Sequence, residues 1–137
     1  MVRQPQTELS SDSLRLRFGL NSRDVRQTLA SVKFTICNEI FQGWKIDKIL
    51  PHAAGLGYDA VEIAPFTMAN SVTEISGAER KRIRQLAAQN GIEIAGIHWV
   101  LVKPEGLYIN HPDRAIRERT SDYFCQLVEF CADIGGT

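Results

Sequence analysis

One phrase occurs three times in this chain and restricts its fold more than any other feature. A pair of small residues, two further residues and a glycine close each helical stretch: Ala53-Ala54 to Gly57, Ala87-Ala88 to Gly91, and Cys131-Ala132 to Gly135. Glycine ends a helix because it accepts left-handed backbone without a Cβ clash. The first two copies run directly into "YDAVEIAP" and "IEIAGIHWVL", short apolar runs of strand character. A further apolar run, "VKFTICNEIF", precedes the first helix. The order is strand, helix, strand, helix, strand, helix, which predicts parallel strands joined by right-handed crossovers. The expected strands cover 33–39, 60–64 and 92–99, neighbours in sequence order. The glycines stand 34 residues apart (57 to 91) and then 44 (91 to 135). An eight-unit parallel barrel averages roughly 31 residues per unit. A five-stranded doubly wound sheet fits the periodicity nearly as well, but normally needs more strands than this chain supplies.

The helices carry their own signals. Ile46, Leu50 and Ala53-Ala54 have helical spacing, with Pro51 a defect unless the helix starts late or kinks. Ser76 and Glu79 fit a capping box, in which hydroxyl and carboxylate each satisfy a free amide of the first turn. Ile83, Leu86 and Ala87 give that helix a buried stripe, and Arg80, Lys81, Arg84 and Gln85 a wet face. Pro112 suits the first turn of a long last helix, with Ile116, Tyr123, Phe124, Leu127, Val128 and Cys131 on its apolar side.

Residues 1–31 lack this order. "MVRQPQTELSSDS" is polar and aperiodic, which reads as a disordered tail, and "SRDVRQTLA" permits a short helix capped by Ser22. The domain proper is expected over 32–137. Lysine plus arginine equals aspartate plus glutamate at 16 each, so no global charge draws nucleic acid or an anionic membrane. No window approaches the ~18 apolar residues of a membrane span, and no signal-peptide core stands at the N-terminus. Three cysteines without CxxC or zinc spacing imply thiols in a reducing, cytoplasmic setting.

Function in a parallel barrel sits at the C-terminal ends of the strands. Polar residues interrupt apolar settings there at Asn38-Glu39, at Glu62 and at His98-Trp99. Along the second strand Val61 and Ile63 face one way and Glu62 the other, toward the barrel interior. A carboxylate there is costly unless it is paired or near water. A structural salt bridge and a functional pocket both meet that need. His98 alternates with Ile94 and Gly96, so all three are expected on the interior face. A hydrogen-bonded core histidine is the competing reading of His98, and a solvated loop charge that of Glu39. His52 and His111 receive no role, and the "ERKRIR" run reads as a solvated helix face.

The stretches "FTICNEIF", "AAGLGYDAVEIAPF", "NGIEIAGIHWVLVKPEGLYINHPD" and "CADIGG" together resemble the xylose-isomerase-like TIM barrels, specifically the sugar phosphate isomerase/epimerase family. The likeness covers residues 32–137. It implies an α/β fold, the first three βα units of a (β/α)8 TIM barrel. It also implies a metal-dependent isomerase or epimerase of carbohydrate metabolism. Such an enzyme moves a proton between adjacent carbons of a keto sugar or hydroxy-ketone, with a divalent ion (Mn, Mg, Co or Zn) on two substrate oxygens. The family holds that ion with two Glu, an Asp and a His on later strands. Glu39, Glu62, His98 and Trp99 match first-half strand ends, which line the substrate pocket. No metal or acid/base role is carried over to them.

On this reading the chain is a front portion, inactive alone, expected to hold no ion tightly. Its strand edges and inward side chains, Ile94 and Cys37 among them, would want a covering wall, and pairing of two copies into a homo-oligomer is one way to supply it. Two other functions use the same pattern: an apurinic-endonuclease type of DNA-repair barrel, which wants a basic groove, and a non-catalytic α/β interaction domain. If residues 1–31 are a tail, deleting residues 1–28 should leave the melting temperature nearly unchanged. A drop of many degrees in a calorimetric scan would show that this segment packs on the rest.

Overall fold

Three helices and three strands follow one another in the computed structural model, which describes residues 32–137. The expectations for residues 1–31 lie outside the described residues. In chain order the elements are β1 (Thr35–Cys37), α1 (Ile46–Gly55), β2 (Ala60–Ile63), α2 (Gly77–Gln89), β3 (Glu93–Ile97) and α3 (Arg114–Ile134). The strands form one parallel sheet in the order β1-β2-β3.

The repeated phrase has one physical meaning in all three places. Beyond α1, the amide of Gly57 donates to the carbonyl of Ala54 at 3.0 Å and that of Tyr58 to Ala53 at 3.2 Å. Beyond α2, Gly91 donates to Ala88 at 3.2 Å and Ile92 to Ala87 at 3.1 Å. Beyond α3, Gly135 donates to Ala132 at 3.1 Å and Gly136 to Cys131 at 2.8 Å. This nested pair of bonds is the Schellman turn, and the small pair supplies both accepting carbonyls. The glycines hold φ of +88°, +64° and +89°, where a side chain is strained. The turn reverses the chain out of the helix, and the first two copies start β2 and β3 at the same end of the sheet.

One face of the sheet is covered by the helices. Val61 and Ile63 of β2 and Ile94 of β3 are buried among Ile49 and Leu50 of α1, Ile83 and Ala87 of α2, and Leu127, Phe130 and Ile134 of α3. Burying a side chain of this size contributes about 1.5–3 kcal/mol, so this layer dominates the fold's stability. The register against β2 is not continuous. Val61 pairs with Ile94 but Glu62 pairs with Gly96, leaving Ala95 as an extra residue in β3. Such a bulge turns the following side chains to the opposite face. Ile94 therefore lies on the helix face, 4 % exposed, and not on the inward face that simple alternation predicts.

Other departures have local causes. α1 runs through Pro51, whose missing amide would have met the carbonyl of Asp47, an exposed position in the first turn. Ser76 caps α2 by accepting from the Glu79 amide at 3.2 Å, but the Glu79 carboxylate turns to Arg82 at 2.6 Å instead of closing the box. Arg82 also pairs with Asp47 and thereby links α2 to α1. Arg80 leaves the wet face: its guanidinium donates to the carbonyls of Ile75 and Val72 and pairs with Asp133 of α3 at 3.0 Å. Asp113, not Pro112, starts α3, accepting from the Ala115 amide at 2.9 Å. The buried stripe of α3 is Thr120, Tyr123, Leu127, Phe130 and Ile134, and Val128 is exposed.

The Schellman turns can be tested without disturbing packing. A Cβ at Gly91 would meet nothing within 4 Å, so Gly91→Ala probes the backbone alone. It should lower stability by about 1–2 kcal/mol in urea titrations. An unchanged midpoint would show that the left-handed conformation is not required there.

Candidate functional site

The C-terminal ends of the three strands bring a small set of polar side chains to one place. β1 passes directly into a 3-10 turn, Asn38–Ile40. Asn38 is 3 % exposed and bonded at both side-chain atoms: its Oδ1 accepts the Ala64 amide at 2.7 Å, and its Nδ2 donates to Thr67 Oγ1 at 2.9 Å. Thr67 in turn donates to the Ala64 carbonyl at 2.7 Å. This knot ties the end of β1 to the end of β2 and fixes where Glu39 stands.

Cys37, Glu62 and Gly96 are neighbours across the sheet. The Cys37 thiol donates to Glu62 Oε2 at 3.3 Å. Past the bulge His98 follows Gly96 onto the Glu62 face, because residues two apart in a strand share a face. Gly96 itself has φ +151°, within the range that side chains rarely adopt. His98 Nδ1 lies 3.6 Å from Glu62 Oε2 and its Nε2 lies 3.6 Å from Glu39 Oε1. Both distances are too long for hydrogen bonds but short enough for strong attraction to a protonated ring. Both ring nitrogens are buried and neither has a hydrogen-bond partner among the described residues. An unsatisfied buried polar atom costs about 1–3 kcal/mol, so the His98 ring adds no hydrogen-bond stability to the described fold.

Trp99 completes the cluster. Its indole N–H donates to Glu39 Oε1 at 2.9 Å, and its backbone holds φ +54°. A bulky residue in that conformation stores about 1–3 kcal/mol of strain, a pattern concentrated at functional sites. Trp99 is 57 % exposed, so burial does not compensate for the strain. Two hollows adjoin the cluster. Glu39 lines one of about 390 Å3 with Trp44, Met68 and Arg82. Glu62 lines another of about 570 Å3 with Gly96, Val100, Phe124 and Cys131. The imidazole of His98 bridges the carboxylates from the two sides.

All four residues named from the sequence, Glu39, Glu62, His98 and Trp99, therefore stand together. Cys37 is the member that sequence reasoning passed over, since a thiol inside an apolar run reads as a small hydrophobe. Its signal was its register opposite Glu62. Burial pushes the Cys37 thiol above its ordinary range, and the bond to Glu62 and the charges of Glu62 and Glu39 push it the same way. His52 stands apart, edge-on to Phe41 and Trp44, and His111 accepts from the Asp113 amide.

Cys37 Sγ, a Glu62 oxygen and a His98 nitrogen all lie within 4.8 Å of one another, near enough for small side-chain shifts to converge them on one cation. The donors that the family resemblance calls for, two Glu, an Asp and a His, do not assemble among the described residues. The trio present is a different set, with the orphaned His98 nitrogen as its best reason to hold an ion.

Comparison with known proteins agrees with this architecture. A family model described as xylose isomerase-like TIM barrel matches residues 50–137. The chain belongs to that family, and its three parallel strands with their helices are part of a (β/α)8 barrel rather than a doubly wound sheet. A solved D-psicose 3-epimerase, determined in the presence of D-fructose, is similar with a TM-score of 0.62 and 25% identity over 75% of this chain. A D-psicose 3-epimerase from Clostridium cellulolyticum H10, determined with D-tagatose, is similar in fold with a TM-score of 0.57 and 19% identity over 75% of this chain. The match spans 34% of each of those chains, about a third of their length. No curated protein matches the sequence.

The thiol offers a direct check of this geometry. The negative charge and acceptor bond of Glu62 hold the proton on Cys37, so Glu62→Gln should move the thiol's titration to lower pH. Peptide-mapped alkylation of Cys37 should then be faster at a fixed, mildly alkaline pH in Glu62→Gln than in the parent chain. An identical rate–pH profile would place Cys37 and Glu62 apart.

Proposed function

We propose that these residues form one wall of the substrate pocket of a sugar isomerase or epimerase. The reaction is proton transfer between adjacent carbons of a keto sugar or related hydroxy-ketone, free or phosphorylated, and it belongs to a complete barrel. The observation that carries the reading is the convergence of Glu39, Glu62, His98 and Trp99 at the C-terminal ends of three parallel strands, the place where this barrel does its chemistry. The likeness to two D-psicose 3-epimerases supports a keto sugar as the substrate class.

The chemistry of the wall suits a polyhydroxylated ligand. Glu39 and Glu62 are acceptors for sugar hydroxyls, and the unpartnered nitrogens of His98 offer a donor, an acceptor or both. The exposed Trp99 ring presents an apolar face for the C–H side of a sugar, and its bond to Glu39 holds that carboxylate still. A divalent ion bound in the complete barrel would supply Lewis-acid polarisation of two neighbouring substrate oxygens. This chain's own residues bind and orient the substrate. The two carboxylates also weigh against the DNA-repair reading, because a phosphate backbone needs cations where Glu39 and Glu62 stand.

A reducing, cytoplasmic setting accords with three thiols that form no disulfide. No helix among the described residues is long and apolar enough to cross a membrane. Pairing of copies remains part of the proposal, since β1 and β3 each have one unpaired edge in the described sheet.

In the protein carrying the complete barrel, Glu62→Gln and His98→Ala should each lower kcat/KM for ketose epimerisation by about tenfold or more, equivalent to about 1.4 kcal/mol of lost transition-state stabilisation. Their melting temperatures should fall by only a few degrees. Solvent-deuterium incorporation into the ketose, followed by NMR, measures the proton transfer itself. Unchanged turnover in both variants would remove these residues from the pocket.

A further inference from the structure

The cluster contains a second chemical possibility that the pocket wall does not use. Cys37 Sγ stands 3.3 Å from Glu62 Oε2, and His98 Nδ1 stands 3.6 Å from the same oxygen. These are the separations between donor atoms that share one small cation. Zinc binds thiolate at about 2.3 Å, imidazole nitrogen at about 2.0–2.1 Å and carboxylate oxygen at about 2.0–2.2 Å. Tetrahedral angles then put sulfur and oxygen about 3.5 Å apart and nitrogen and oxygen about 3.3 Å apart. These two observed distances differ from the ideal ones by only a few tenths of an ångström, and sulfur and nitrogen lie within 4.8 Å of each other.

Three further facts point the same way. The His98 ring nitrogens are buried and have no hydrogen-bond partner among the described residues, a state that suits a ligand for a Lewis acid. Glu39 Oε1 lies 3.6 Å from the far nitrogen, Nε2, beyond hydrogen-bond length but on the side where a carboxylate attracts the N–H of a ligating histidine. Cys37 and Glu62 sit in register on adjacent strands, and His98 directly follows β3, with its amide donating to the Ile63 carbonyl at 2.9 Å, so backbone bonds position all three donors.

We infer that Cys37, Glu62 and His98 form a three-donor site for a thiophilic divalent cation, with Zn2+ the best fit, in which the ion takes the place of the proton now shared between Cys37 and Glu62. Binding breaks the S–H bond and forms a metal–thiolate bond, and one proton passes to solvent. The thiolate selects against Mg2+ and Mn2+, which prefer oxygen donors. Three protein donors leave a fourth position for a water or an oxygen ligand, and Glu62, one of the three, also lines a hollow of about 570 Å3. This site is separate from the oxygen-rich ion that the family resemblance attaches to later strands. Its failure would leave the pocket-wall reading intact, because that reading needs only the side chains.

Titrating the purified 137-residue chain with Co2+ as a spectroscopic stand-in for Zn2+ tests the inference. A near-ultraviolet thiolate-to-cobalt charge-transfer band should saturate at one equivalent and disappear when Zn2+ is added. Cys37→Ser should abolish the band, whereas Cys125→Ser and Cys131→Ser should keep it. Glu62→Gln, nearly the same shape, guards against a folding artefact in Cys37→Ser and should weaken Co2+ binding by about tenfold or more. The absence of a saturable band, its survival in Cys37→Ser, or unchanged affinity in Glu62→Gln would each overturn the site.

Discussion

A single extra residue in β3 governs which side chains look into the site. Ala95 has no partner in β2, so Ile94 stays on the helix face and everything after it changes sides. Without the bulge, His98 would share a face with Ile94, Val61 and Ile63 and would press an imidazole into the most apolar layer of the molecule. With it, Ile94 fills the core and His98 meets Glu62. The backbone accommodates the change at Gly96, whose φ of +151° suits glycine. Bulges are uncommon in parallel sheets and gather at the rims of barrels and beside functional sites. Here the strain continues into Trp99, whose left-handed backbone is held by its indole bond to Glu39.

The cluster that results is acidic and crowded. Glu39 and Glu62 flank one imidazole, a thiol leans on one of the carboxylates, and an indole holds the other. The stability of the fold does not need this arrangement. The core lies on the opposite face of the sheet, and the knot of Asn38, Ala64 and Thr67 already joins the ends of β1 and β2. Separation of the two faces lets one side be packed for stability and leaves the polar cluster on the other. That division is what makes a barrel of this family adaptable to many substrates.

The path of the chain was legible in the sequence because its cause is local. A Schellman turn is specified within six residues, so the spacing of Ala53-Ala54 and Gly57 carries it in full, and the same holds at Gly91 and Gly135. Strand-end polar residues were legible for a related reason: a carboxylate or histidine at the end of an apolar run stands out. What escaped notice depends on distant partners. The bulge exists only in the pairing of β3 with β2, and no run of residues within β3 announces it. Cys37 gains meaning only opposite Glu62. Arg80 looked solvated until the carbonyls of Val72 and Ile75 and the Asp133 side chain were brought to it. Glu79 had two choices, its own cap and Arg82, and the linkage of Arg82 to Asp47 decided between them.

The placement of His98 on the Glu62 face is the claim on which both the pocket and the cation site rest. Nuclear Overhauser contacts of the His98 ring protons measure it most directly. The structure predicts cross-peaks from that ring to the side-chain protons of Glu62 and Glu39, with the Ile94 methyl groups instead contacting the core beneath the helices. Contacts from the His98 ring to the Val61 or Ile83 methyl groups would mean that β3 pairs without its bulge, and would contradict the account of the site.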